Sequence, residues 1–168
     1  HDFHKDGPHI VTGPVAIQGA EPGDVLKVEV IQIQPRVPYG VISNRHGKGT
    51  LVGEYPKHPA QADASPAHPE RYGNVSVFTP IEKNAQGEYE GIIQTGSGKS
   101  IRFPLAPFMG LMGVAANTSE PVHSVPPSFY GGNIDINELG AGATAYYPVQ
   151  VPGALFYTGD SHFVQGDG

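Results

Sequence analysis

Short runs of alternating apolar and polar residues, separated by Gly- and Pro-centred breaks, make up most of this chain. The clearest run is 25–33, where Leu26, Val28 and Val30 alternate with Lys27 and Glu29. That period of two is the signature of a strand with one buried face. After Val30 the phase flips to Ile31 and Ile33 against Gln32 and Gln34, as at a β-bulge or a change of covering layer. Further strands are expected at 74–79, 89–94, 99–103, 143–151 and 154–158. Pro22-Gly23 suits the centre of a type II turn, and Pro152-Gly153 separates the last two strands. The apolar stretch 104–116, with Phe108, Met109 and Met112, reads either as a buried core strand or as a wall beside a cavity. No convincing amphipathic helix and no internal repeat interrupt this pattern, so an all-β or β-rich sandwich or barrel is expected.

Residues 35–73 break the pattern. Prolines at 35, 38, 56, 59, 66 and 69 block regular structure there, and a loop of this length is expected. His46 lies in a glycine-framed part of it, whereas His58 and His68 each precede a proline and read as exposed loop residues. The segment Thr95-Gly96-Ser97-Gly98-Lys99-Ser100 resembles a phosphate-binding loop only superficially. That motif needs a glycine where Ile93 stands, and Pro104 and Pro107 leave no room for the helix that should follow. A hairpin turn is expected instead.

Composition narrows the class. The chain has 168 residues, 38% of them hydrophobic, with 23 Gly and 17 Pro, which fits one turn-rich domain spanning 1–168. A net charge of -6 without a Lys/Arg cluster argues against nucleic acid as a partner. No apolar run is long enough to span a membrane. The absence of cysteine excludes disulfides and thiolate metal sites and fits a reducing, cytoplasmic setting. The sequence opens without Met and stops at Gly168 in its richest polar stretch, so it reads as part of a longer polypeptide.

Candidate chemistry concentrates in that last stretch, 159–168, which reads as a loop leaving a sheet. Asp160 and His162, two apart, face the same way in an extended chain, and Gln165 and Asp167 follow. Such a set is either ordinary turn chemistry or the start of a divalent metal site. A second concentration lies at 1–14, where His1 reads as a frayed end or tag remnant and His9 abuts a short strand. A third is Tyr130-Gly131-Gly132-Asn133-Ile134-Asp135, a tight turn that presents polar side chains.

Six segments together resemble the acetamidase/formamidase family of amide hydrolases. They are His9–Pro14, Gly19–Asp24, Pro107–Val114, Pro126-Pro127 with Gly131–Asp135, Val151–Phe156 and Gly159–Gly168, in the family's order. The resemblance implies a sandwich-like fold with long Pro/Gly-rich loops and little helix. It also implies hydrolysis of short aliphatic amides such as formamide and acetamide, and a bound divalent metal. Family members extend beyond both ends of this chain.

No Cys nucleophile and no Gly-x-Ser-x-Gly elbow is present, so metal-assisted hydrolysis is the leading expectation. The expected ligands are Asp160 and His162, joined by His9 or Asp135, with Zn2+ the first candidate and Ca2+ the second. Asp167 is the candidate general base, and Gln165 the candidate binder of the substrate amide. The alternative is a non-catalytic β module whose structural Ca2+ or Zn2+ is held by Asp160, Asp167 and Asn133. The apolar final strands, one of them at a sheet edge, predict either a homo-oligomer, most simply a two-fold dimer, or cover by the rest of the same polypeptide.

Overall fold

The computed structural model describes residues 6–45, 51, 61–63, 71 and 73–165. Among them the regular structure is ten strands and one short 3-10 helix, Asn137–Leu139. The chain divides into two compact units, one from residues 1–34 and 106–167 and the other from 35–105. The expected β-rich class is therefore observed, and no helix among the described residues is long and apolar enough to cross a membrane.

In the first unit, β1 (Val11–Val15) and β2 (Val25–Glu29) come from the N-terminal part. β2 pairs antiparallel with β9 (Thr144–Pro148). Leu26 and Val28 pack against a core of Met112, Val114, Tyr147, Val149 and Ala154, as their alternation requires. The strand ends at Glu29 rather than continuing through the phase flip. Val30 still donates its N–H to the Ala143 carbonyl and accepts from Gly142, but the partner chain then turns away. Ile31 has no strand to pair with and is 90% exposed, so the flip marks the end of the ladder and not a bulge within it.

The other sheet of this unit has the order β1-β10-β7-β8, with β7 (Phe108–Gly113), β8 (Gly131–Asn133) and β10 (Phe156–His162). All its pairings are antiparallel. β7 is the apolar 104–116 stretch, and Phe108, Leu111 and Val114 are fully buried. β10 runs past the expected end of the last strand and through His162, so Gly159–His162 belong to a sheet and not to a loop. The reason is the register: Gly159 faces Leu111, Ser161 faces Met109 and His162 faces Phe108, giving each residue a partner on β7. β10 is consequently an inner strand, whereas β9 has only β2 beside it.

The second unit is an antiparallel sheet in the order β3-β4-β5-β6. It contains β3 (Tyr39–Asn44), β4 (Val75–Lys83), β5 (Tyr89–Gln94) and β6 (Ser100–Pro104). β3 lies inside the stretch expected to be irregular: the prolines at 35 and 38 precede it, leaving Tyr39–Asn44 free to pair with β4. β4 continues through Pro80, where the ladder partner is Tyr39, and Ile81 donates to the Pro38 carbonyl. The β5–β6 hairpin is closed as expected by Thr95–Lys99, with Gly98 at φ 77° and the Thr95 N–H on the Lys99 carbonyl.

Tyr157 on β10 stands over Gly113 of β7, where a Cβ would lie 2.8 Å from its hydroxyl. Burial, reinforced by Tyr130 and Tyr147, pushes the Tyr157 hydroxyl up to about 12. The folded protein thus keeps a proton that the unfolded chain loses near pH 10. Stability is expected to fall as pH rises from about 10 to about 12. Phenolate absorbance should show late-ionising tyrosines, Tyr157 and the likewise buried Tyr147, and Tyr157→Phe should remove one late ionisation and its share of the alkaline loss.

Candidate functional site

Three elements converge on one cluster. Asp160 and His162 come from β10, and alternation sets them on one face with Phe108 and Gly110 of β7. Asp135 comes from the chain leaving β8. One ligand atom from each of Asp135, Asp160 and His162 lies within 4.8 Å of the others. His162 Nε2 is 3.1 Å from Asp135 Oδ1 and 3.4 Å from Asp160 Oδ2. The Phe108 ring stacks on the imidazole at 4.5 Å between centroids and 15° between planes, which fixes the ring's direction.

Gly110 makes the room. A Cβ there would lie 2.7 Å from His162 Nε2 and closer still to Asp135 Oδ1. Its carbonyl accepts the N–H groups of both Ile134 and Asp135 at 3.0 Å, which pins the Asp135 segment against β7. Gln165 adds a third tie, donating from Nε2 to the Asp135 carbonyl at 2.8 Å. Asp135 and Asp160 both hold positive φ, 57° and 49°. Such backbone is uncommon outside glycine and concentrates at functional sites.

His9 completes the group from the edge of the sheet, just before β1. Its Nε2 lies 3.6 Å from Asp160 Oδ2, and its side chain is 15% exposed. Nδ1 shares a 2.8 Å hydrogen bond with Ser124 Oγ, which also accepts the His9 backbone N–H at 3.4 Å. Glycine at position 7 is what lets Ser124 approach, because a Cβ there would collide with the hydroxyl. His9 and Ser124 also line a cavity of about 420 Å3 in this unit.

Asp135, Asp160, His162 and His9 are thus brought together. Gln165 reaches the cluster through the Asp135 backbone, while Asp167 lies outside the described residues. Asn133 sits on β8 opposite Leu111, and its buried Oδ1 accepts no hydrogen bond. Sequence reasoning missed Phe108, Gly110 and Ser124. The first two were visible as neighbours on one strand face, but nothing local marks Ser124, 115 positions from His9.

The donor set fits a divalent ion. A single imidazole N–H at Nε2 cannot serve both carboxylates at once, and a cation among the three atoms would satisfy all of them. Carboxylate and imidazole together suit Zn2+, and the excess of oxygen leaves Ca2+ open.

Comparison with known proteins identifies the family. The sequence matches the acetamidase/formamidase family profile over residues 2–122 and 115–168. It is 29% identical to the acetamidase of Mycolicibacterium smegmatis, over 95% of this chain and 48% of that protein. It is 32% identical to a putative formamidase of Schizosaccharomyces pombe, over 95% of this chain and 47% of that one. The crystal structure of an acetamidase from Bacillus halodurans superposes with a TM-score of 0.72 at 30% identity, covering 99% of this chain and 47% of that chain. The chain spans about half the length of the curated relatives it matches. It belongs to the acetamidase/formamidase family.

Proposed function

We propose that this chain carries the metal-binding half of an amide hydrolase that converts short aliphatic amides, such as formamide and acetamide, to a carboxylate and ammonia. The observation that carries the reading is the convergence of Asp135, Asp160 and His162 on one point. The names of the relatives, acetamidase and formamidase, supply the substrate class.

Asp135, Asp160 and His162 would hold the ion, with His9 as a fourth ligand. When bound, such an ion supplies Lewis-acid polarisation of a carbonyl and water of lowered pKa. The chain's own residues set the geometry. Phe108 holds the His162 ring in place, and Ser124 orients the His9 ring so that its other nitrogen faces Asp160. Gln165 keeps Asp135 in position and offers its remaining amide hydrogen and its oxygen to the substrate amide. Asp167 is the proposed general base, taking a proton from the attacking water and returning it to the departing nitrogen. The buried, unsatisfied Oδ1 of Asn133 favours a second reading, a structural Ca2+ in a non-catalytic module.

We also propose that the chain works under cover of more protein, either a further part of the same polypeptide or a second copy. Val25 (61% exposed), Ile31 (90%), Phe129 (64%) and Tyr146 (64%) leave apolar surface open around the first unit. A stable contact there should bury more than about 1,000 Å2.

Four experiments test these statements. Ammonia release from formamide and acetamide should stop on chelation and return with added Zn2+ or Ca2+. A chelator that only lowers the melting temperature of a protein inactive at every stage would favour the structural module. His162→Ala should lose both the bound metal, by elemental analysis, and hydrolysis, and unchanged metal content would remove His162 from the ligand set. Gly110→Ala should displace Asp135 and His162 and lower kcat/KM by about 100-fold, the effect of a misplacement of roughly 1 Å, with little change in substrate affinity for the reacting amide. Light scattering of the 168-residue chain should show association, and a stable 17.7 kDa monomer would overturn the cover proposal.

A further inference from the structure

The cavity beside His9 is larger than a one- or two-carbon amide would fill. Its volume of about 420 Å3 lies in the range of about 300–1,000 Å3 common for small-molecule sites. Its lining is mainly apolar but includes His9, Ser124, Asp6, Thr118, Glu120 and His123. Ser124 bonds His9, and the Ser124 N–H donates to the Asp6 carbonyl at 3.0 Å. The remaining wall includes Val11, Leu111, Val122, Leu155 and the rings of Tyr130 and Tyr157. Register explains the apolar floor. Val11 and Leu111 both face Gly159, which has no side chain to fill the space between them. Alternation places Val11, Leu111 and Tyr157 on the sheet face opposite Asp160 and His162. β1 is an edge strand, and His9, just before it, both lines the cavity and approaches Asp160.

We infer that the cavity binds the hydrocarbon part of the substrate, so that the protein prefers amides of longer aliphatic acids over formamide and acetamide. This rests on the amide-hydrolase reading above. The reacting amide sits at His9 on the sheet edge, and the tail runs back across the Gly159 floor toward Leu111 and Tyr157. Only a substrate with several methylenes spans both places. Each methylene moved from water to such a surface contributes about 0.8 kcal/mol, or about fourfold in affinity.

The test uses the purified native protein with the linear amides from formamide to hexanamide, alongside binding of hexanamide followed by calorimetry. The rate constant kcat/KM should rise about fourfold per methylene. Ala116→Phe, which fills the cavity from its wall, should abolish that rise. Val122→Trp does the same from a residue that is 44% exposed, where a larger side chain leaves the fold intact. Binding of hexanamide that either variant removes, in a protein that hydrolyses no amide, would uphold the cavity's role and overturn the hydrolase reading. A flat or falling kcat/KM from acetamide to hexanamide, in a protein that turns over acetamide, would overturn the inference and leave the hydrolase reading standing. Absence of both hydrolysis and hexanamide binding would overturn both.

Discussion

The close approach of three chain segments at Gly110 is the constraint on which the site depends. β7 is flanked by β10 on one side and β8 on the other, so anything standing on its face at position 110 is crowded from both. Removing the side chain there admits Asp135 from one neighbour and His162 from the other. The same residue's carbonyl then holds the Asp135 segment by two N–H groups. Space and anchoring come from one glycine, which is why the carboxylates and the imidazole meet without a dedicated loop.

The cluster so formed is electrostatically incomplete. Two carboxylates face one imidazole nitrogen, and both aspartates keep left-handed backbone. Strain of this kind persists when the surrounding structure over-determines it, and here the β10 ladder, the Gly110 carbonyl and Gln165 do so. A cation converts the crowding of negative groups into favourable coordination, which ties the metal reading to geometry rather than to residue type alone.

The first unit buries the strand that carries the site. Phe108 and Leu111, on opposite faces of β7, are both buried, so the strand that carries the site is covered on both sides. Around it Ile10, Val25 and Phe129 are exposed.

The sequence by itself determined the β-rich class, because period-two alternation and Gly/Pro punctuation are local signals. Leu26 and Val28 point inward as their spacing requires, and Gly98 makes its turn. The six ordered segments likewise carried the family, and Asp160-x-His162 carried the idea of a shared face. Tertiary structure decided what local spacing cannot encode. It ended β2 at Glu29, because the partner strand turns away at Gly142, and it built β3 from a proline-rich stretch, because β4 was there to pair with it. It drew Gly159–His162 into a sheet through partners on β7, and it joined His9 to Ser124 and Asp160 across most of the chain's length. Strand formation is a property of pairing, and pairing, like the gathering of ligands, depends on residues far apart in sequence.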